Sequence, residues 1–408
     1  MSSLRILMYC NDSRGLGQTT RTLNIAASLS KALEGCSILV LTDLSTVGRF
    51  RLADRVDYVH LPVLETKDKF GQPFSGLNIK YENKLRIRRK IAQSAIRTFH
   101  PDVVILDESL LNHPEEMEKI VACIGDELPA TKILWGLSDT LGAPERVVRQ
   151  WESNGVLDVF ARFADEILIF GTPQVFDVVE KYQLPDAIAR KIFYTGYLAR
   201  LAMPSRRVCE SVAKMNRNLP LVMLCSGGGS GDMAMVDAYL RFLEKTADGG
   251  PAFQSFVVAG PAIGSHEKRS LAQRAQKLPN VMFHRFGKHT LQYVRFADLV
   301  IGAGEYNLTC EILAHRKAAL AVPNAKEYPG NFSRARLLHG LGLMTCVAPE
   351  DYHPSVLKDV MAKSLFNGPR LVQKSQYEGI PLDGFAKIAE RIRKISGLSR
   401  PAQLKVAS

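Results

Sequence analysis

The stretch Leu4-Arg5-Ile6-Leu7-Met8-Tyr9-Cys10-Asn11-Asp12-Ser13-Arg14-Gly15-Leu16-Gly17-Gln18 decides the fold. An apolar run interrupted by one arginine is what a strand buried on both faces requires, and parallel strands under helices read this way. The glycine turn behind it leads into residues 19–32, where Leu23, Ala26 and Ala27, with Ile25 and Leu29 beside them, recur at helical spacing. The same unit returns in the second half. Leu221–Cys225 is an apolar run, Ser226-Gly227-Gly228-Gly229-Ser230-Gly231 a glycine turn, and residues 234–245 a helix. A third turn, Gly302-Ala303-Gly304-Glu305-Tyr306-Asn307, follows residues 299–301 and opens a helix carrying Glu311.

Strand patterns recur between these turns. In the first half they fall at 37–41, 56–61, 103–106, 132–137, 166–170 and 191–194, and in the second at 256–259, 281–283, 319–322 and 344–347. Helices are expected at 82–99, 331–339 and 384–395, and a polar loop at 62–80. Two strand–helix series joined by a linker near 198–218 predict an α/β chain with two Rossmann-like domains facing across a cleft. The expected units are 1–198 on the acceptor side, 199–375 on the donor side, and a C-terminal helix and tail, 376–408, packing back on the first unit. Ligands of such sheets bind at the carboxyl ends of the strands, where all three glycine turns lie.

The 408 residues carry a net charge of +12, which favours an anionic partner. The densest basic run, Lys84-Leu85-Arg86-Ile87-Arg88-Arg89-Lys90, reads as a solvated helix face or an anionic-lipid contact. Zinc-finger and RNP-like patterns are absent, which argues against nucleic acid. The seven cysteines form no CxxC and no metal-site spacing, so no metal is expected and a reducing compartment fits. Neither a signal peptide nor an apolar run near 18 residues is visible. The expected location is therefore cytoplasmic, with peripheral contact at the inner membrane face left open.

Glycines allow close backbone approach, and free amides at a helix start attract anions, so Ser226, Gly227, Gly228, Gly229 and Ser230 read as a phosphate cradle or a plain turn. Gly304, Glu305, Tyr306 and Asn307 form a second such start, unless Asn307 or Thr309 only caps the helix. Glu311 could accept two hydrogen bonds from a ribose diol or sit in a surface ion pair. Asn331 reads equally as a sugar contact and as an N-cap. Across the cleft lie Asp12, Arg14, Gly15, Gly17 and Gln18. Asp12 and Asp139 follow apolar strands and are the candidate bases, Asp107 and Glu108 being weaker ones. Gln18 does not titrate and can only orient a hydroxyl.

These residues resemble those of MurG-like, GT-B nucleotide-sugar glycosyltransferases, in particular a bacterial branch with mostly undefined acceptors. The similarity runs through Gly15-Leu16-Gly17 with Arg21-Thr22-Leu23, Asp139–Glu145 with Trp151, Ala164–Gly171, Phe193–Tyr197, Gly227–Gly229, Gly304–Asn307, Glu311, Pro323 and Arg334-Ala335. The resemblance implies a nucleotide-diphosphate sugar, commonly a uridine one, bound as co-substrate by the second domain, with no cofactor and no catalytic metal. It implies ribose on Glu311, pyrophosphate near 226–230 and 304–307, and an acceptor hydroxyl or amine, small or glycan- or lipid-linked, on the first domain. Inverting transfer of a hexosyl-type group is the implied reaction. The chain departs from the family at Gln18, where a histidine is usual, and at Glu305, where a second glycine is common. A sugar-nucleotide epimerase and a non-catalytic nucleotide or glycan binder are the rival readings.

Overall fold

A computed structural model describes residues 4–12, 16–64, 77–200, 203–216, 218–227, 232–246, 253–260, 263–287, 289–366 and 377–397. The first sheet has seven strands in the order β3-β2-β1-β4-β5-β6-β7. They are β1 Arg5–Cys10, β2 Ser37–Thr42, β3 Val56–His60, β4 Val103–Asp107, β5 Lys132–Ser138, β6 Glu166–Phe170 and β7 Ile192–Tyr194. Helices α1 Gly17–Ala32, α2 Tyr81–Phe99, α3 Pro114–Glu127, α4 Pro144–Ser153 and α5 Val156–Phe163 connect them, with single turns α6 Val178–Lys181 and α7 Asp186–Ala189. The second sheet has six strands in the order β10-β9-β8-β11-β12-β13. These are β8 Leu221–Cys225, β9 Gln254–Ala259, β10 Val281–Arg285, β11 Leu299–Gly302, β12 Ala318–Ala321 and β13 Thr345–Cys346. Its helices are α8 Arg206–Ala213, α9 Asp232–Thr246, α10 Ser265–Ala275, α11 Tyr306–His315, α12 Pro329–Gly340 and α13 Pro354–Met361, and α14 Gly384–Ile395 follows.

Each described strand pairing is parallel, in both sheets. The central strands β1, β4, β8 and β11 are buried nearly throughout, which is why they read as unbroken apolar runs rather than as alternation. In each sheet the strand order reverses beside the first strand of its series, so β1/β4 and β8/β11 are the switch points where a crevice opens. The expected linker at 198–218 contains α8, whose buried Val208 joins a core cluster. Helix α14 packs against α1, with Arg391 paired to Glu166 and Arg393 donating to the carbonyl of Ala32.

The basic run on α2 is not one solvated face. Lys84, Leu85 and Arg88 are buried, while Arg86, Ile87 and Lys90 are exposed. Helical periodicity explains the split, since 84 and 88 lie one above the other. Arg88 Nε donates to Glu116 Oε1 at 3.0 Å, and its terminal nitrogens reach Asp43, Asn11, Tyr9 and the carbonyl of Pro62. Breaking such a pair strands the buried Glu116 carboxylate. Arg88→Ala is therefore expected to lower unfolding free energy by about 3–5 kcal/mol. Arg86→Ala on the exposed side should change it by less than about 0.5 kcal/mol. Urea titration of the two variants tests this.

Candidate functional site

A cleft of about 990 Å³ lies between the two sheets and is lined from both. The first lobe offers Asp12, Gly17, Gln18, Arg21, Glu108, Leu141, Arg146 and Trp151, and the second Gly227, Glu305, Tyr306, Asn307, Glu327, Asn331 and Arg334. The elements that position them are strand ends and the helix starts that follow, as the parallel topology demands.

The lobes meet through a buried ion pair. Arg334 of α12 places Nη2 2.6 Å and Nε 2.8 Å from Asp139 Oδ1. Tyr197 Oη donates to the second Asp139 oxygen at 2.9 Å, and the Thr140 amide donates to the first. Arg334 also donates to the carbonyl of Gly304 and to Asn331 Oδ1. Around this pair, Tyr306 Oη donates to the carbonyl of Phe170 at 2.8 Å and accepts from the Leu198 amide. The guanidinium groups of Arg21 and Arg334 each lie over the Tyr306 ring, 5.6 and 5.2 Å from its centroid. At the mouth, Asn307 Nδ2 donates to the carbonyl of Gly17 at 2.9 Å, joining the first turns of α11 and α1.

These contacts alter several sequence-based assignments. Asp139 does not line the cleft, and both its oxygens are held by Arg334 and Tyr197, so it is placed as an inter-lobe counter-ion rather than as a base. Glu311 does not line it either. One of its carboxylate oxygens accepts from Arg200 Nε at 2.7 Å, so an arginine rather than open cleft faces it. Ser226 is fully buried. Its hydroxyl donates to the carbonyl of Val258 and accepts from the Gly260 amide, tying β8 to β9. Tyr306 has its hydroxyl committed between the lobes. Asn331 lies in the first turn of α12, past the cap residue Tyr328, and orients Arg334. Neither Asn307 nor Thr309 caps α11, because Glu305 holds that position. Gly304 has a φ of +75°, a backbone that favours glycine, and turns its carbonyl to Arg334. Gly17, Gln18, Gly227, Glu305 and Asn307 do line the cleft. Arg14, Gly15, Gly228, Gly229 and Ser230 lie outside the described residues.

Asp12 lines the cleft and also ties down the first turn of α1, whose cap position is Leu16. Its Oδ2 accepts from the Thr19 amide at 2.7 Å in the first turn of α1. Burial pushes its carboxyl up to about 7, against the pull of that amide, and Asp107 and Asp43 add to the rise. Arg21 donates to Asp107 at 2.6 Å, to Glu108 at 3.1 Å and to Ser138 Oγ at 2.6 Å. Burial raises the Asp107 carboxyl. It would raise Glu108 too, but Arg21 and the Ser138 donors outweigh it and hold Glu108 below its ordinary range. The signal for Arg21 was an arginine one turn into a helix behind a glycine turn. Its carboxylate partners are a strand end and a loop distant in sequence.

If Asp139 is a counter-ion, Asp139→Asn leaves the Arg334 charge buried and unmatched. The expected loss of unfolding free energy is about 3–5 kcal/mol, read by chemical denaturation. A variant of unchanged stability with turnover lost would return Asp139 to the role of base.

No model of a protein family matches the chain, and no curated relative does. Solved structures do. A UDP-glucosyltransferase from Polygonum tinctorium is 12% identical, with 97% of this chain and 99% of that one covered and a TM-score of 0.65. The Acinetobacter baumannii MurG is 12% identical over 96% and 99%, with a TM-score of 0.58. A putative UDP-N-acetylglucosamine 2-epimerase from Listeria monocytogenes is 11% identical over 100% of both chains, also at 0.58. With two parallel sheets facing across a cleft, the chain has the GT-B fold that these glycosyltransferases share with the epimerase.

Proposed function

We propose that the protein is a glycosyltransferase that moves a hexosyl-type group from a nucleotide-diphosphate sugar, uridine-linked, to an acceptor hydroxyl or amine, with inversion and without a metal. The observation that carries this reading is the cleft itself. One wall holds the Gly227 turn and the start of α11, where backbone amides and the helix dipole suit a leaving diphosphate. The facing wall holds Asp12, a carboxyl in the pKa range of a general base. The acceptor oxygen or nitrogen attacks the anomeric carbon, the bond from that carbon to the diphosphate oxygen breaks, and the acceptor proton passes to Asp12. Gln18, half-buried beside it, orients the acceptor. Residues 1–198 present the acceptor and 199–375 the donor, with α14 tying back to the first unit.

Incubation with labelled uridine and other nucleotide sugars, with and without bacterial extract, tests the reaction. Transfer to an extract component that persists in EDTA supports it. A changed free sugar nucleotide supports the epimerase reading that the Listeria neighbour keeps alive, and binding without turnover supports a sensor. Asp12→Asn keeps the acceptor for the Thr19 amide but cannot take a proton, so turnover should fall by about 10²–10⁴-fold. Because the base must be ionised, wild-type kcat at saturating donor should rise with pH through about 7. A flat profile, or an active Asp12→Asn protein, moves the base elsewhere.

We further propose a cytoplasmic protein that touches an anionic membrane through the start of α2. No described helix is long and apolar enough to cross a membrane. Leu77, Ile79, Tyr81 and Ile87 are exposed among Lys80, Arg86 and Lys90. Apolar wedges ringed by cations suit an acidic bilayer surface. Sedimentation with vesicles containing phosphatidylglycerol, but not with neutral vesicles, is expected, and Ile79→Asp with Ile87→Asp should abolish it.

A further inference from the structure

Glu305 stands at the head of α11, and it is the first residue a diphosphate there would meet. Its backbone, φ −63° and ψ 147°, caps the helix, but its side chain makes no capping hydrogen bond. The side chain instead crosses from the end of β11 to the turn after β8. It lies so flat on Gly227 that a Cβ built there would sit 1.3 Å from Glu305 Oε1. Only glycine at 227 admits it. Both Glu305 oxygens are buried and neither makes a well-formed hydrogen bond, although the Ala303 and Glu305 amides lie near enough to pull on the carboxyl. No other carboxylate among the described residues is in that condition. A buried polar group left unmatched calls for a reason, and a ligand that completes it is one.

The charges around it sharpen the point. Arg334 faces Glu305 from α12 but is matched by Asp139. Glu327 lines the cleft from the loop before α12, and Asp12, Glu108 and Arg21 line it from the first lobe, Arg21 being engaged by Asp107 and Glu108. Arg146, on α4 of the opposite lobe, is the remaining cation among the described lining residues, apart from His113. A diphosphate at the start of α11 therefore meets amides, a helix dipole and one unmatched carboxyl. An ionised carboxyl there repels it. A protonated one is a donor and supplies a hydrogen bond to a phosphate oxygen.

Resting on the donor reading above, we infer that Glu305 is a positioning residue for the donor phosphates, which bind with Glu305 protonated, the proton coming from solvent. Burial already raises its carboxyl to about 6, against the pull of nearby backbone amides and of Arg334. At neutral pH binding must then draw a proton in, and donor affinity falls as pH rises.

The test is calorimetric titration with uridine diphosphate from pH 5.5 to 7.5, on wild type and Glu305→Gln. Binding confined to the protonated form, with a midpoint near 6, weakens the wild-type Kd about 25-fold across that range. The nucleotide's own ionisation contributes equally to both proteins, so the excess slope in wild type reports Glu305. Glu305→Gln should lose that excess and bind at least about tenfold tighter at pH 7.5. Buffers of different ionisation enthalpy should show close to one more proton taken up by wild type than by the variant. Glu305→Gly, which removes the carboxyl altogether, serves if the glutamine variant does not fold. Equal slopes and equal affinities would overturn the inference and leave the nucleotide reading standing. Failure of uridine diphosphate to bind any of these proteins would instead remove that reading, and this inference with it.

Discussion

The pairing of Arg334 with Asp139 is the constraint on which the cleft depends. Each group is almost fully removed from water, so neither lobe can bury its half without the other. The pair fixes the end of β5 against α12, and through the Gly304 carbonyl it fixes the start of α11 as well. Tyr197 and Tyr306, stacked with ring centroids 6.1 Å apart, exclude water from it. A charge pair of this kind contributes more to specificity of docking than to net stability, since desolvation offsets most of its Coulomb gain. What it sets is the distance across which an acceptor and a donor could face each other.

Seen this way, the chain's excess positive charge is not a property of the cleft. Arg21, Arg88 and Arg334 are three of its most buried cations, and each neutralises carboxylates inside the fold. Other cations, such as Arg86 and Lys90, stand on the outer surface. Net charge therefore speaks to what the exterior attracts, and the interior of the site must be read group by group.

Much of the architecture was legible because buried parallel strands leave an unmistakable pattern. Leu4–Cys10, Leu221–Cys225 and the glycine turns behind them placed both sheets and the cleft. Individual side chains were less legible, because a strand-end carboxylate looks the same whether it faces ligand or counter-ion. Asp139 and Glu311 follow the right motifs, yet Arg334 and Arg200 approach them from 195 and 111 residues away in sequence. Ser226 was read as phosphate-binding for its place in a glycine turn, but its hydroxyl faces β9. Periodicity would have divided the α2 run, since Lys84 and Arg88 repeat on the buried phase with Leu85, Ala92 and Ile96. Glu305 is the reverse case: a residue out of place in its motif pointed to the least satisfied carboxyl in the described structure.

The assignments of Asp12 and Glu305 bear on one another. The base functions when ionised and the phosphate contact when protonated, yet burial sets Asp12 near 7 and Glu305 near 6. Burial raises both carboxyls, so ionising the one and keeping the proton on the other make opposite demands on pH. Donor binding removes this conflict. A diphosphate seated at α11 keeps the proton on Glu305 well above its free midpoint, so the occupied enzyme can work at a pH where Asp12 is fully ionised. Nucleotide occupancy would then do more than hold a substrate: it would bring the two carboxyls into the protonation states that transfer requires.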